Sequence, residues 1–239
     1  MSVHLVGGGW TPDNYASMFG PFLEEASARA VADGRTAPRI AIIVVRDGDA
    51  AEHAAQLGTA LAAGGLFEPV TTLLDHDGVA ELIAVANVDG ILIGGGLTPA
   101  YLSALTPIAG EIRRQVSAGV PYLGFSAGAA IAAERALIGG WRIGGVEVSP
   151  EDGSEDLDEV TLGQGIGLLD VTVEVHAAQW GNLSRLIAAT EAGLIDGGLA
   201  IDENTTLVIG EGALAVVGAG SVWRVSQADG GVLVSTFGA

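Results

Sequence analysis

Hydrophobic residues along the first 136 positions alternate between two spacings. The apolar run at 38–45 is continuous, which is typical of a strand buried on both faces of a parallel sheet. Positions 14–31 instead show helical spacing, with Tyr15 and Phe19 on one face. The same criteria predict strands at 2–6, 68–74 and 90–93, and helices at 50–63, 79–85 and 98–117. This regular alternation predicts an α/β fold with a doubly wound, mostly parallel sheet.

The pattern changes after Gly139 and Gly140. Segment 150–159 is acidic and lacks apolar periodicity, and we expect a solvated loop there because a Ca²⁺ site would need different ligand spacing. A strand is predicted at 171–175 and a helix at 180–190. Short strands with glycine-rich turns are predicted at 199–209, 214–217, 221–225 and 232–235. No linker or repeat interrupts the pattern, so we predict a single domain over residues 1–239.

One pentapeptide, Gly124-Phe-Ser-Ala-Gly128, has the G-x-S-x-G spacing of a nucleophile elbow. Its small residues allow a strand to turn sharply into an alanine-rich helix and leave the Ser126 hydroxyl exposed at the tip. The amides after Ser126 would lie at a helix N-terminus, where unpaired N–H groups favour a developing oxyanion. The alternative is that Ser126 only caps this helix.

Two glycine-rich segments, 7–9 and 94–96, also follow predicted strands. Ligands of doubly wound sheets bind beyond the carboxyl ends of the strands. We therefore expect both segments and Ser126 to share one edge of the sheet.

Composition excludes several kinds of chemistry. The formal net charge of −19 argues against nucleic acid or an anionic membrane surface as a partner. All ten basic residues are arginine, so a Schiff-base or P-loop lysine is excluded. Cysteine is absent, which excludes disulfides, thiolate metal sites and thiol nucleophiles. Covalent catalysis would have to use serine or threonine.

The N-terminal residues lack the basic region and the long apolar core of a signal peptide. The longest apolar runs are also too short for a membrane span. We therefore expect a cytoplasmic protein. We also consider a homodimer, although the sequence indicates no interface.

A serine nucleophile needs a base, and histidine is the usual one. Of the four histidines, only His176 is predicted to lie at the carboxyl end of a strand on the active edge. His4 lies inside the first strand, His53 on a helix face and His76 in an acidic turn. His176 is therefore the predicted base.

The third member should be a carboxylate that orients the base, and we searched between Ser126 and His176. Glu147 stands between apolar neighbours on a short predicted strand, which suits a partly buried acid. Glu134 would point away along the elbow helix, and the cluster at 151–159 is too solvated. Glu147 is the predicted acid, with an ordinary exposed strand residue as the alternative.

Several segments, in their order and spacing, resemble peptidase family S51, the serine peptidases that include aspartyl dipeptidase (peptidase E) and cyanophycinase. The resemblance covers most of the chain. It is carried by Gly7–Gly9, Gly90–Gly96, Gly124–Ala130, Gly163–Leu169, the strand end at His176, Arg185-Leu186 and Ile201-Asp-Glu203.

The resemblance implies a class I glutamine-amidotransferase-like fold with a Ser–His–Glu/Asp triad and no metal or organic cofactor. By position it assigns Ser126 as nucleophile, His176 as base and Glu147 as the carboxylate. It places the oxyanion donors at Gly95 or Gly96 and at Ala127. The positions implied for substrate binding are Thr98, Glu174, Trp180 and Arg185.

The chain departs from cyanophycinase-like members after His176. They carry several arginines there, whereas this chain keeps only Arg185 and has Trp180 and Asn182 instead. A pocket for a substrate carboxylate usually uses a bidentate arginine. The departure weakens the case for β-aspartyl-arginine substrates.

Our hypothesis is a serine exopeptidase that cleaves short peptides or isopeptides through an acyl-enzyme. An α/β-hydrolase esterase is one alternative, because it shares the elbow and the order serine, acid, histidine. The other is a non-catalytic module that binds a small anion at the glycine-rich segment 94–96 and the helix starts.

Overall fold

The structure, a computed structural model, describes residues 2–238. Strands and helices alternate up to the elbow, and strands predominate after it. The strands are β1 (Val3–Val6), β2 (Arg39–Val45), β3 (Glu68–Leu74), β4 (Gly90–Ile93), β5 (Tyr122–Phe125), β6 (Arg135–Gly139), β7 (Arg142–Ile143), β8 (Val146–Glu147), β9 (Thr161–Gln164), β10 (Thr172–Val175), β11 (Gly197–Ile201), β12 (Thr205–Ile209), β13 (Ala215–Gly218), β14 (Ser221–Ala228) and β15 (Gly231–Gly238). The helices are α1 (Tyr15–Ala32), α2 (Ala50–Ala62), α3 (Thr98–Leu105), α4 (Ala109–Ser117), α5 (Ala127–Ala130) and α6 (Leu183–Glu191).

A seven-stranded sheet in the order β13-β12-β1-β5-β4-β2-β3 forms the centre of the fold. Strands β1 to β5 are mutually parallel. At one edge of the sheet, β12 pairs antiparallel with β1, and β13 pairs antiparallel with β12. A second sheet has the order β10-β11-β14-β15. The predicted α/β fold with a mostly parallel, doubly wound sheet is confirmed.

Strand β2 shows why a continuous apolar run was needed. Ile40, Ile42 and Val44 pack with residues of α1 and α2, whereas Ile43 and Val45 pack on the opposite face with residues of α3 and α4. Both faces of the strand are therefore covered by helices. The carboxyl ends of β1, β4 and β5 lie at the same edge of the sheet. At that edge the three strands are followed by Gly7–Gly9, Gly94–Gly96 and Ser126, respectively.

Four predicted elements differ from the structure. The helix predicted at 98–117 is broken into α3 and α4, because Pro107 cannot donate the backbone hydrogen bond of a continuous helix. The segment predicted as a helix at 79–85 forms only a 3₁₀ turn at Leu82–Val85. The helix after Ser126 ends at Ala130. The strand predicted at 199–209 is interrupted between β11 and β12.

None of the helices within residues 2–238 has both the length and the apolar character that crossing a membrane requires.

The turn from β5 into α5 requires glycine at two positions. A Cβ atom at Gly124 would lie 2.4 Å from the Gly128 carbonyl oxygen. A Cβ atom at Gly128 would lie 2.4 Å from the Ile93 carbonyl oxygen. Backbone atoms block both positions, so the glycines allow β4, β5 and α5 to pack at contact distance.

We expect Gly124→Ala to lower the free energy of unfolding by about 1–3 kcal/mol, because the blocking oxygen belongs to the backbone and moves only with the elbow. Gly58→Ala is the matched control. Gly58 lies inside α2 with no atom within 4 Å of a new Cβ, so this change should raise stability by about 0.5–1 kcal/mol. Urea denaturation of both variants checks the expectation, and a Gly124→Ala protein as stable as wild type would contradict it.

Candidate active site

Ser126 occupies the sharp turn between β5 and α5. Its φ of +52° and ψ of −110° lie outside the regions that non-glycine residues usually adopt. Its amide donates to the Val6 carbonyl at 2.9 Å, and its carbonyl accepts from the Ala129 amide at 2.8 Å. The strained residue is therefore held from β1 and from α5, as functional residues in such conformations commonly are.

His176 follows β10 and lies beside the serine. Its Nε2 is 2.8 Å from Ser126 Oγ, and both residues are buried. His176 also has a positive φ of +53°, and its amide donates to the Gly7 carbonyl at 3.0 Å. A Cβ atom at Gly8 would lie 2.1 Å from the imidazole Cε1, so only glycine at that position leaves room for the ring.

Glu203 completes a continuous chain of hydrogen bonds. Its Oε1 lies 2.8 Å from His176 Nδ1. The residue sits in the turn between β11 and β12, and its amide donates to Gln179 Oε1 at 2.9 Å. The hydrogen bond with His176 lowers the pKa of Glu203 against the opposing effect of partial burial. Glu203 is therefore ionised at neutral pH.

The prediction that Glu147 orients the base is wrong. Glu147 lies on the two-residue strand β8, its side chain is 70% exposed, and it faces Arg142 at 3.8 Å. The hairpin of β7 and β8 turns at Gly144 and Gly145 and exposes the apolar neighbour Val146 as well, so apolar neighbours in sequence did not imply burial. Glu203 also comes after His176 in the chain, outside the interval between Ser126 and His176 in which the acid was expected.

Trp180 covers the outer face of His176. The two rings are parallel within 7° and their centroids are 3.9 Å apart. The Trp180 amide donates to the His176 carbonyl at 3.0 Å, and the indole is 44% exposed in the cavity wall. Among the positions that the resemblance implies for substrate binding, Trp180 lines the cavity and is accessible to a ligand.

The glycine segment after β4 lies against the serine. A Cβ atom at Gly95 would be 2.9 Å from Ser126 Cβ. The Gly95 amide, however, donates to His53 Nε2 at 3.2 Å. Within residues 2–238, no hydrogen bond engages the amide of Gly96 or of Ala127. Of the three predicted oxyanion donors, Gly96 and Ala127 are free and Gly95 is already engaged.

Arg185 and Glu174 do not reach the cavity. Arg185 Nε and Nη2 bind the two Glu174 carboxylate oxygens at 2.8 and 2.9 Å. Its Nη1 donates to the carbonyls of Gly140 and Gly153, and both side chains of the pair are buried. The expectation that Arg185 and Glu174 bind substrate is wrong, because the Arg185 guanidinium is already hydrogen-bonded to groups within the protein.

Thr98, also predicted to bind substrate, is buried at the start of α3, where its amide donates to Glu155 Oε2 at 2.8 Å. It therefore connects the helix to the acidic segment. Burial raises the pKa of Glu155, although the bond from the Thr98 amide opposes this effect.

Ser126 and His176 open into a cavity of about 770 Å³. The acidic segment 150–159, expected to be a solvated loop, contributes to the cavity wall, and so does α2. Arg46 is the one guanidinium in this lining, and it pairs with Asp49 at 2.6 Å. Six carboxylates line the cavity, namely Asp49, Glu52, Glu151, Asp152, Glu155 and Asp156.

Comparison with solved structures supports the fold. A peptidase from an acI-B1 Actinobacterium matches 100% of this chain and 94% of its own, with a TM-score of 0.64 and 18% identity. A putative peptidase E protein from Listeria monocytogenes EGD-e matches 91% of this chain and 98% of its own, with a TM-score of 0.54 and 15% identity.

Sequence comparison finds closer relatives over part of the chain. Cyanophycinases from Synechococcus elongatus and from Thermosynechococcus vestitus are each 36% identical over 155 residues, which is 62% of this chain and 45% of the relative. The match therefore spans about half the length of these curated relatives. The model of peptidase family S51 matches residues 45–217. Because the match to the family model covers well over half of this chain, the chain belongs to peptidase family S51.

Proposed function

We propose that this protein is a serine peptidase that hydrolyses short peptides or isopeptides with Ser126 as nucleophile, His176 as base and Glu203 as the orienting acid. The observation that carries the proposal is the unbroken sequence of hydrogen bonds from Glu203 through His176 to Ser126, with 2.8 Å at each step. It ends at a serine on a strained turn facing a large cavity. This arrangement is the one that activates a hydroxyl.

Acylation begins when His176 Nε2 accepts the proton of Ser126 Oγ and the oxygen attacks the scissile carbonyl. The carbonyl becomes a tetrahedral oxyanion, to which the amides of Gly96 and Ala127 donate. The intermediate collapses, the C–N bond breaks, and protonated His176 transfers its proton to the leaving amine. Water then attacks the acyl-enzyme while His176 accepts its proton. The bond between the acyl carbon and Ser126 Oγ breaks, His176 returns the proton to Ser126 Oγ, and the acid product leaves.

Glu203 contributes by fixing the imidazole. Its bond to Nδ1 keeps the proton on that nitrogen and leaves Nε2 free to accept from the serine. Its negative charge also stabilises the imidazolium that forms during attack. Trp180 stacks on the ring and restricts its rotation.

Neither alternative receives support from the site. The order in this chain is serine, histidine, acid, whereas an α/β-hydrolase esterase has the acid before the histidine. A small-anion module would need a positive cavity, and six carboxylates line this one.

Cavity charge favours a cationic group on the substrate. Arg185 is paired with Glu174, and Arg46 is paired with Asp49, so the arginines near the site have carboxylate partners within the protein. An aspartyl dipeptide would bring its carboxylate towards negative walls. A β-aspartyl-arginine isopeptide, or another short peptide with a basic side chain, would bring a charge of the opposite sign. We therefore propose basic short peptides or isopeptides as the substrate class.

Glu203→Gln should lower kcat by about 10³–10⁴-fold, since the amide would favour the wrong imidazole tautomer. Glu147→Gln is the matched control and should leave kcat unchanged. Ser126→Ala should abolish turnover above background. The rate at which a fluorophosphonate labels Ser126 gives a readout that does not depend on the substrate. Loss of labelling in Glu147→Gln, with Glu203→Gln unaffected, would contradict the assignment.

On a panel of dipeptides and isopeptides, we expect arginyl and lysyl substrates to be cleaved with higher kcat/KM than neutral or α-aspartyl ones. Glu52 and Glu151 are exposed in the lining, and neutralising both with Glu52→Gln and Glu151→Gln should lower kcat/KM for basic substrates about five- to tenfold. Glu24→Gln, on an exposed site of α1 outside the cavity, is the matched control. The preference should weaken with added salt. A preference for α-aspartyl substrates would contradict the proposal.

A further inference from the structure

The peptide group between Gly95 and Gly96 is held from one side by two donors. Arg46 Nη1 and Tyr101 Oη each donate to the Gly95 carbonyl oxygen at 3.1 Å. No peptide bond within the described residues is cis, so the Gly96 N–H points away from that carbonyl. The two donors therefore fix the direction of the Gly96 N–H, one of the two free amides beside Ser126.

A third side chain, that of His53, binds the amide of Gly95. His53 on α2 accepts the Gly95 N–H at its Nε2. The imidazole is buried, with its ring 5.5 Å from that of Trp10 and 6.1 Å from that of Phe125 between centroids. The charged groups facing it are Arg46 and Asp49.

His53 is a neutral acceptor at ordinary pH. Burial and, to a smaller extent, nearby Arg46 lower the pKa of His53 to about 4, against the opposing effect of Asp49. The neutral ring carries its proton on Nδ1 and presents the Nε2 lone pair to Gly95. Among the hydrogen bonds of residues 2–238, the Ser126 hydroxyl is bonded to His176, whereas His53 is bonded to the Gly95 amide.

The three side chains come from separate elements and converge on one glycine. Arg46 directly follows β2, His53 belongs to α2, and Tyr101 belongs to α3. Tyr101 is fully buried, so its hydroxyl donates to the Gly95 carbonyl without competition from water. A flexible glycine segment without such bonds would sample other peptide orientations, because glycine restricts φ and ψ little.

We propose that Arg46, His53 and Tyr101 are positioning residues that lock the Gly95–Gly96 peptide so that the Gly96 N–H faces the oxyanion. The inference rests on the proposed function, because it assigns these residues a part in the same acyl transfer. They touch neither the substrate carbonyl nor the serine oxygen, and they act through the orientation of one N–H group.

Two substitutions remove single bonds from this arrangement. Tyr101→Phe deletes the hydroxyl and leaves the ring, and His53→Met deletes the acceptor and keeps an apolar side chain of similar length. Each should lower kcat between about tenfold and a hundredfold, with KM changed less than about twofold, because only the transition state carries the oxyanion. His53→Gln restores an acceptor near the position of Nε2 and should recover most of the loss.

The matched control is Thr206→Val. Thr206 is fully buried and its hydroxyl donates to the Met18 carbonyl at 3.1 Å, so the change also removes one buried hydroxyl-to-carbonyl bond without touching the glycine segment. It should leave kcat unchanged. Inhibition by a peptide aldehyde, whose hemiacetal oxygen would occupy the oxyanion position, should weaken in Tyr101→Phe and His53→Met by the same factor as kcat/KM.

The outcomes separate this inference from the function on which it rests. If fluorophosphonate labels Ser126 and wild type cleaves peptides, but Tyr101→Phe and His53→Met keep full kcat, the positioning role is overturned and the peptidase stands. An equal loss of kcat in Thr206→Val, or no recovery in His53→Gln, also overturns it, since the effect would then reflect general destabilisation. Absence of both labelling and turnover in wild type overturns the proposed function itself.

Discussion

The hydrogen bond between Ser126 and His176 is the interaction on which the arrangement of this edge of the sheet depends. Both residues have positive φ values. Residues other than glycine rarely adopt this backbone conformation unless surrounding contacts hold them in it. Val6 at the end of β1 and Gly7 directly after it hold them, because their carbonyls accept from the amides of Ser126 and His176. Gly8 then has to lack a side chain, because the imidazole occupies the space in which a Cβ would lie. The carboxyl end of β1 thus positions the proposed nucleophile and the proposed base at the same time.

The carboxylate of the proposed triad, Glu203, lies where the chain connects the two sheets. Glu203 lies where the chain leaves β11 of the four-stranded sheet and enters β12 of the seven-stranded sheet. Its neighbour Asp202 stabilises this crossing, since its carboxylate accepts from the amides of Ala178 and Ser221 and from Trp223 Nε1. His176 follows β10 and Glu203 follows β11, and these two strands pair in parallel. The proposed base and its proposed orienting acid therefore lie after the ends of adjacent strands.

Apolar periodicity was sufficient to predict the sheet, and the glycine spacing around Ser126 was sufficient to predict the elbow, because both signals are local. The apolar run of β2 and the glycines around Ser126 report burial and steric constraint at their own positions. Glu203 was not predicted, because 199–209 was expected to form strand without a break. The polar run Asp202–Asn204 in its middle is a turn signal, and the structure has a turn there in which Asn204 has a φ of +55°. The engagement of the Gly95 amide was hidden, because His53 comes from a helix 42 positions away.

The buried pair of Glu174 and Arg185 shows why substrate preference cannot be transferred from a retained arginine. A guanidinium that binds a carboxylate through two nitrogens and two carbonyls through the third has little hydrogen-bonding capacity left for a ligand. Releasing it would leave Glu174 as an unpaired buried charge, which costs about 3–5 kcal/mol when one partner of such a pair is removed. Binding a substrate carboxylate at Arg185 would have to offset that cost. The carboxylates that line the cavity carry no comparable cost, because many of them are exposed to water. In the proposed function, selection of a substrate by charge therefore depends on the carboxylates of the cavity walls, whereas Arg185 stabilises the fold.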